Sequence, residues 1–236
     1  MKNKSNYLVF SSLTVIAAAM GIAADFLLGF VRPGSIGRYS IAQTGWAEIS
    51  LWRPGVSMLL AAIAFPLYLF GIYVIAQRIA PVLPRISKAF WMLSIFSSAG
   101  WLLSHVFFCF PQYAYAYLAQ NGQSELALTL ADKLLWMLFP ALLVYAVLMA
   151  ASLGVLFAAL ISGKTPYPGW VAFLSPFTAA ALFSTLRLVF PESTFILALT
   201  TASVHVGMLF LFAVVTAYEI HFRRNGDREI TQTKAI

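Results

Sequence analysis

The chain has 236 residues, of which 61% are hydrophobic and only 10% are charged. A soluble domain carries about 25% charged residues, so this composition argues against a soluble protein and indicates an integral membrane protein. The net charge of +7 does not indicate nucleic-acid binding, because the basic residues flank apolar runs, where they orient membrane helices. The single cysteine excludes an internal disulfide and a cysteine-rich metal site.

Six apolar runs are long enough to cross a bilayer core, which takes about 20 residues of helix. They cover about residues 7–31, 54–80, 90–110, 134–161, 170–190 and 195–222. The first run follows Lys2 and Lys4, as a signal peptide does, but its length favours an uncleaved helix. The sequence therefore predicts an all-α, polytopic transmembrane helical bundle of six spans. It forms a single integral membrane domain over residues 1–236, with a polar cytoplasmic tail over residues 223–236.

Two connections on the outer side are too long to be simple turns. Residues 34–53 contain Trp46 and Trp52 among polar residues, which is typical of an interfacial segment with aromatic anchors. Residues 112–133 contain three tyrosines, typical of an aromatic belt, and Ser124 is a candidate start of a helix that runs into the fourth span. We therefore expect short interfacial helices in the first and third loops, both on the outer side.

The basic residues predict the orientation of the chain. With six spans both termini lie on one side, and that side collects ten basic residues against four on the other. Cytoplasmic loops carry the excess of Lys and Arg, so both termini are predicted to be cytoplasmic. The ten are Lys2, Lys4, Arg78, Arg85, Lys88, Lys164, Arg223, Arg224, Arg228 and Lys234, and the four are Arg32, Arg38, Arg53 and Lys133.

A short internal repeat is a further possibility. Pro66 and Pro140 each follow a phenylalanine, in spans two and four, and the octets 104–111 and 184–191 each run from Ser to Pro at the end of a span. Either spans two-three and four-five are parallel copies, or the match arises by chance in a chain with 20 Phe and 11 Pro. Both explanations stay open.

The ionisable residues inside the predicted spans lie mostly in their outer halves. A charge near the bilayer centre costs about 2.5–3.5 kcal/mol, so these side chains are more favourable facing one another or water than facing lipid. Such positions on four different spans converge only around a common cavity. The sequence thus predicts an outward-opening polar pocket formed by Asp25, Trp101, His105, Cys109, Arg187 and His205, with Glu48, Arg53 and Asp132 at its rim.

Each member of this pocket also has a purely structural interpretation. In that interpretation Asp25 forms a structural ion pair with Arg187 or Arg53. Alternatively, the long side chain of Arg187 places its charged end at the outer interface. The histidines then make hydrogen bonds between closely packed helices, and Cys109 is a small buried hydrophobe.

Three functional classes follow from the predicted pocket. Its mixed charge and the aromatic outer loops favour binding of a lipid or small amphiphile, with membrane lipids as partners and no nucleic acid. The alternative is a membrane-embedded hydrolase or transferase, whose catalytic candidates His105, His205 and Asp25 act as bases or hold a metal, with zinc as the possible cofactor. A small proton-coupled transporter is the third class, because histidine titrates near neutral pH and a nearby carboxylate can relay protons.

Two resemblances to known families bear on these classes. Ser104 and His105 resemble a serine and histidine of the membrane ceramidase and progestin-adiponectin receptor superfamily, whose seven-span zinc hydrolases carry paired histidines on the last helix. Here His205 has no such partner and six spans are counted, so the chain is not assigned to that group. Segments 24–29, 65–68 and 104–105 are similar to an uncharacterised family of bacterial multi-span membrane proteins, which implies a bacterial cytoplasmic membrane and no known activity.

Overall fold

The computed structural model describes residues 5–38 and 41–233, and side chains over 6–38 and 41–224. The elements, in chain order, are α1 (Ser5–Gly29), β1 (Ser35–Ile36), β2 (Ala42–Gln43), a 3-10 helix (Thr44–Glu48), α2 (Trp52–Ile79), α3 (Pro84–Gln120), α4 (Ser124–Ile161), a second 3-10 helix (Gly169–Leu174), α5 (Pro176–Val189), α6 (Thr194–Thr201) and α7 (Ser203–Thr233). The two short strands pair antiparallel. The prediction of a helical fold is confirmed at this level.

Among the described residues, five helices are long and apolar enough to cross a membrane. They are α1, α2, α3, α4 and the first part of α7, Ser203–Arg224, whereas α5 is a shorter apolar helix of 14 residues. The predicted fifth run, 170–190, divides into the second 3-10 helix and α5, and the predicted sixth run begins with the separate helix α6. The six predicted spans are therefore confirmed only as five candidate spans.

Proline and glycine set several helix ends. Pro84 and Pro176 lie in the first turn of α3 and α5. A backbone N–H in the first turn has no acceptor within the helix, so proline, which lacks the N–H, is tolerated there. Gly122 and Gly163 follow the ends of α3 and α4 with φ of +76° and +66°. This left-handed conformation ends a helix and is accessible to glycine at little cost.

The two loops that were predicted to lie on the outer side do not form the predicted interfacial helices. Helix α3 does not end at Pro111 but continues through it to Gln120, and α4 begins at Ser124, so residues 112–133 form a tight helical hairpin. Proline is tolerated inside membrane helices because neighbouring groups satisfy the freed backbone. The first loop forms the β-hairpin and the 3-10 helix Thr44–Glu48. Neither loop is confirmed as a separate α-helix.

The buried side chains form two clusters. The larger follows the length of the bundle between α1, α2, α3, α4 and α7. The smaller packs the first 3-10 helix against the α3–α4 hairpin, where the Trp46 ring lies 5.8 Å from the ring of Phe108 and 6.2 Å from that of Tyr115. Tyr113 and Tyr117 are exposed and stack on each other, so the tyrosines are divided between a core and a surface role.

The beginning of α1 and the end of the apolar part of α7 lie at the same end of the bundle. The guanidinium carbon of Arg78 lies 5.1 Å from the ring centre of Tyr7 and 4.8 Å from that of Phe222. We term this the terminal end, and the opposite end, which carries the β-hairpin, the hairpin end.

Part of the orientation prediction rests on residues beyond this description. Lys2, Lys4, Lys234 and the side chain of Arg228 lie outside the described residues. The backbone of α7 remains helical through Thr233, across most of the region predicted as a polar tail.

Candidate functional site

Five polar side chains from four helices meet inside the bundle. All of them are buried, with at most 8% of any residue exposed. We term them the histidine–aspartate network: Asp25 on α1, Ser57 and Tyr68 on α2, His105 on α3 and His205 on α7.

Asp25 lies at the centre of the network between two imidazoles. Its Oδ1 is 3.3 Å from Nδ1 of His105, and its Oδ2 is 3.5 Å from Nε2 of His205. Both distances lie just beyond the usual hydrogen-bond range of about 2.7–3.2 Å, and both are short enough for an ion pair. The carboxyl group can therefore interact with either ring.

The remaining nitrogen of each imidazole also has a partner. His105 Nε2 is 3.0 Å from the hydroxyl oxygen of Ser57. His205 Nδ1 is 2.6 Å from the hydroxyl oxygen of Tyr68, and the two rings stack with an interplanar angle of 13°. The order Ser57, His105, Asp25, His205, Tyr68 thus forms one continuous chain of polar contacts.

Local packing brings the two histidines close to Asp25. Gly21 lies one helical turn before Asp25 on α1, and a Cβ at Gly21 would overlap the His205 ring. Glycine at this position is what allows α7 to place His205 against α1. The ring of Phe65 lies 5.3 Å from that of His205 and 6.1 Å from that of His105, so an apolar side chain packs against both imidazoles.

The hydroxyl of Ser57 fixes the proton on one side of the network. Its oxygen lies 2.8 Å from the carbonyl oxygen of Ala24, which can only accept a hydrogen bond, so Ser57 donates its single proton there. Ser57 therefore accepts from His105, and Nε2 of His105 carries a proton. This assignment follows from the hydrogen-bond pattern, as tautomer assignments ordinarily do.

A further proton is required between His105 and Asp25. A neutral His105 with its proton on Nε2 would direct the lone pair of Nδ1 at the Asp25 carboxylate, which is repulsive. Either His105 is doubly protonated beside an ionised Asp25, or Asp25 is protonated and donates to Nδ1. Both arrangements hold the same additional proton between the two side chains.

The other histidine faces Asp25 with its Nε2. The tautomer of the ring decides whether Tyr68 or Nδ1 of His205 donates in their 2.6 Å contact, and where Tyr68 donates, a neutral ring carries its proton on Nε2. Among the described residues Nε2 has no hydrogen-bond partner at normal geometry and faces Asp25 at 3.5 Å. With a proton on Nε2 or on the carboxyl group, a small approach of the two groups would complete a hydrogen bond.

Ser57, His105 and Asp25 also occur in the order of a serine-hydrolase triad. In such a triad a serine hydroxyl contacts one imidazole nitrogen and a carboxylate contacts the other, as the 3.0 Å and 3.3 Å distances allow here. The hydroxyl proton is directed at Ala24, however, and Ser57 is fully buried. A nucleophilic role would require the hydroxyl to turn and a substrate to reach it.

The three remaining predicted pocket residues differ in how close they lie to the network. Cys109 is buried next to it, and its thiol donates to the carbonyl oxygen of His105 at 3.3 Å. Trp101 packs against the larger core. Arg187 lies at the end of α5 and donates to the carbonyl oxygen of Pro191. Of the six predicted pocket members, the network contains three, namely Asp25, His105 and His205.

The three predicted rim residues hold loops and helix ends at the hairpin end. Glu48 forms an exposed ion pair with Arg32 at 2.8 Å. Asp132 accepts a hydrogen bond from the backbone N–H of Arg38 at 2.9 Å. Arg53 donates to the carbonyl oxygens of Phe26 and Phe30 at 3.4 Å and 2.9 Å, where a cation favours the C-terminal end of α1.

Sequence reasoning did not identify Ser57 and Tyr68. Both are neutral polar residues, so a search for charges in apolar runs passes over them. Their spacing of eleven residues is three turns of an α-helix, which places them on the same face of α2. That spacing was the available signal, although it gains meaning only when the histidines on α3 and α7 are placed opposite.

A second buried polar cluster lies at the terminal end. Arg78 donates from Nε and one terminal nitrogen to the two oxygens of Glu219, at 2.8 Å and 2.5 Å. Tyr167 donates to Glu219 at 3.3 Å. Burial, followed by the neighbouring Glu219 carboxylate, raises the pKa of the Tyr167 phenol well above its ordinary value. Tyr167 therefore stays protonated and remains a donor at neutral pH.

The sequence predicted a possible zinc site formed by His105, His205 and Asp25. Within residues 5–38 and 41–233 no group of three or more His, Cys, Asp or Glu side chains is arranged to hold a metal ion. The interpretation of His105, His205 and Asp25 as zinc ligands stays an untested hypothesis.

Fold and site together define an all-helical protein in which, over the described residues, five helices are long and apolar enough to cross a membrane and a network of polar side chains is buried between helices. The chain belongs to a family of unknown function, DUF6796, whose model matches residues 1–221. No curated protein and no solved structure matches the chain.

Proposed function

We propose that this protein is a small proton-coupled transporter of the bacterial cytoplasmic membrane, in which the histidine–aspartate network binds and releases a proton. One observation carries the proposal: Asp25 is held between His105 and His205, and the contacts of Ser57 require an additional proton between His105 and Asp25. Ionisable residues inside membrane helices commonly form proton relays in transporters.

The surroundings of the network support reversible protonation. An ionised carboxylate in an apolar interior is costly unless it is paired, so the additional proton is retained while the site is closed. Entry of water would solvate the carboxylate and lower this cost, and the proton would then leave. A conformational change that opens the site to one side would therefore couple proton release to that side.

The helix arrangement supports six crossings with both termini cytoplasmic. Because α1 begins and the apolar part of α7 ends at the terminal end, the chain crosses an even number of times. The second 3-10 helix and α5 supply the additional crossing in this proposal. Their 6 and 14 residues span about 33 Å at about 2.0 and 1.5 Å per residue. Interrupted helices of this kind are common in secondary transporters.

Transport is tested with purified protein in liposomes that contain a pH-sensitive dye. Small amines, carboxylates and sugars are added outside in turn, and the internal pH is recorded. We expect a solute-dependent pH change with the wild type and with Asp132→Asn, and a loss of at least about tenfold with Asp25→Asn. The control changes a carboxylate at the hairpin end that is outside the network. Equal traces for the wild type and Asp25→Asn with every solute would contradict the proposal.

Binding of a lipid or amphiphile at the same site has less support. The polar atoms of the network are directed at one another over 2.6–3.5 Å, which suits a proton better than a larger ligand. Two cavities, of about 30 Å³ between α2, α3, α4 and α7 and about 550 Å³ at the terminal end, are lined by residues outside the network. Native mass spectrometry of the gently purified protein tests for a retained amphiphile.

The triad-like order of Ser57, His105 and Asp25 supports a second candidate, a membrane acyl hydrolase. This reaction requires His105 to carry its proton on Nδ1, towards Asp25, and the Ser57 hydroxyl to turn from Ala24 towards Nε2. Nε2 then accepts the Ser57 proton as the serine oxygen bonds to an ester carbonyl carbon. The ester bond breaks, the alcohol leaves with that proton, and water releases the acid by the same steps. A fluorophosphonate probe would label the wild type and not Ser57→Ala. An unlabelled wild type would rule out an accessible activated serine.

A metal-dependent version of the hydrolase makes a different prediction. Elemental analysis would find one zinc ion per chain in the wild type and none in the variant with His105→Ala and His205→Ala. Purified wild type without zinc would exclude it as a tightly bound cofactor.

A further inference from the structure

An open pocket of about 550 Å³ lies at the terminal end of the bundle. Its wall includes Tyr7 of α1, Gln77 and Arg78 near the end of α2, and Lys164 in the connection that follows α4. The position between helix ends, at the edge of the apolar part of the bundle, makes the pocket accessible from the water side and from the headgroup layer of a bilayer.

The polar wall of the pocket includes hydrogen-bond donors that have no acceptor among the described residues. Arg78 uses Nε and one terminal nitrogen for Glu219, and no hydrogen bond to a described residue occupies its other terminal nitrogen. The side chains of Gln77 and Lys164 likewise have no hydrogen-bond partner among the described residues. Three side chains from two segments thus direct unused donors towards one cavity.

The charge of the pocket is positive. Glu219 balances Arg78 and lies behind it, with only 2% of its side chain exposed. Its Oε1 is also bound by Tyr167, so the carboxylate faces into the protein. No acidic residue is among the described residues that line the pocket, and Lys164 forms no ion pair with any of the described residues. A ligand that complements this wall is an anion with several acceptor oxygens.

The remaining wall is apolar. Pro81, Val82 and Pro166 line the pocket, and 51% of Val82 is exposed. A phosphate group with an attached apolar chain would satisfy both walls at once. Basic pockets between membrane helices bind the headgroups of anionic lipids in this way.

We propose that this pocket binds a phosphate-bearing anion, supplied either by the headgroup of an anionic phospholipid or by a soluble phosphate ester. The donors of Lys164, Gln77 and Arg78 hold the phosphate oxygens. The site is separate from the histidine–aspartate network, since no network residue lines the pocket and the network side chains have partners of their own.

Native mass spectrometry of the full chain in detergent tests the proposal. Phosphatidylglycerol and phosphatidylcholine are titrated separately, since only the first carries a net negative charge. We expect phosphatidylglycerol to bind at least about tenfold more tightly. Lys164→Gln should weaken it about fivefold, the effect of one basic residue near a membrane surface. Lys88→Gln removes an exposed charge of α3 that does not line the pocket, and should change the affinity less than twofold.

Soluble ligands separate the two sources of phosphate. Binding of glycerol phosphate with one ligand per chain, lost in Lys164→Gln, would assign the site to a soluble ester. Binding of phosphatidylglycerol alone would assign it to a lipid headgroup. Equal affinities for the two lipids without any glycerol phosphate binding would overturn the proposal. Equal losses in Lys164→Gln and Lys88→Gln would also overturn it, because they would indicate diffuse surface charge.

Discussion

The hydroxyl oxygen of Ser57 lies 2.8 Å from the carbonyl oxygen of Ala24, and this contact between α2 and α1 decides where the protons of the network lie. A carbonyl accepts and never donates, so the Ser57 hydroxyl donates its proton to the carbonyl oxygen of Ala24 on α1. His105 must then donate to Ser57, and its second nitrogen meets Asp25. One hydroxyl in an apolar helix thereby determines that the site holds an additional proton.

Ser57→Ala is predicted to lower the stability of the folded protein and to change the protonation of His105. The substitution leaves the buried Nε2–H of His105 without an acceptor, which costs about 1–3 kcal/mol. Nitrogen-15 NMR of the imidazole would show that the preference for a proton on Nε2 is lost, and thermal unfolding in detergent would show the lower stability. Thr185→Ala is the control, because that hydroxyl is exposed and bonds within its own helix. An unchanged His105 spectrum in Ser57→Ala would contradict the proton assignment.

Tyr68→Phe is predicted to impair the network from its other end. The variant keeps the ring but removes the hydroxyl whose oxygen lies 2.6 Å from Nδ1 of His205. His205 then loses the contact that fixes its tautomer, at a cost of about 1–2 kcal/mol, and solute-dependent proton movement should slow by about tenfold or more. The matched control is Tyr73→Phe, whose ring packs against Tyr7 and Trp91. Equal behaviour of the two variants would place Tyr68 outside the functional site.

Gly21→Ala is predicted to be far more damaging than Gly154→Ala. A Cβ at Gly21 would overlap the His205 ring, whereas a Cβ at Gly154 meets nothing within 4 Å. Overpacking costs about 1–3 kcal/mol, and displacement of His205 should also stop proton movement. At Gly154 the change should be neutral or stabilising by up to about 1 kcal/mol, the helix preference of alanine over glycine. Proteoliposome assays and unfolding temperatures of both variants provide the measurement.

The central part of the site was predictable from the sequence. Asp25, His105 and His205 are ionisable residues in long apolar runs, and the cost of burying charge requires such residues to meet. Arg187 satisfied the same criterion, but it lies near the end of a short helix and its long side chain reaches the carbonyl oxygen of Pro191. A charged side chain near a helix end can reach a carbonyl oxygen of the adjoining loop, whereas one deeper in the bundle needs a partner on another helix.

The parts that were not predicted depend on contacts between distant segments. Ser57 and Tyr68 cost little to bury when hydrogen-bonded, so nothing in the local sequence distinguishes them from packing residues. The continuation of α3 through Pro111 depends on neighbouring helices. Residues 169–189 form a 3-10 helix followed by α5, and their hydropathy is the same as that of one continuous apolar helix. Composition determined the class of fold, and tertiary packing determined these details.

Residues 169–189 are predicted to cross the membrane as the fifth of six spans. If these residues cross the membrane, the connections before and after them lie on opposite sides. Single cysteines replacing Lys164 and Glu192, in a chain with Cys109→Ala, should then react with an impermeant maleimide from opposite sides of intact membrane vesicles. Gln123→Cys serves as the control for the side of Glu192, because it lies in the turn at the hairpin end. Labelling of both test positions from one side would contradict the six-crossing arrangement.

The ion pair of Arg78 and Glu219 gives a prediction about stability alone. Only 18% and 2% of the two side chains are exposed, so Glu219→Gln leaves a largely buried guanidinium without a counter-charge, at a cost of about 3–5 kcal/mol. Replacing both residues together, Arg78→Met with Glu219→Met, removes both buried charges and should restore most of the loss. Unfolding in detergent as a function of temperature compares the three proteins. If the double variant is no more stable than Glu219→Gln, the unpaired charge does not account for the loss of stability.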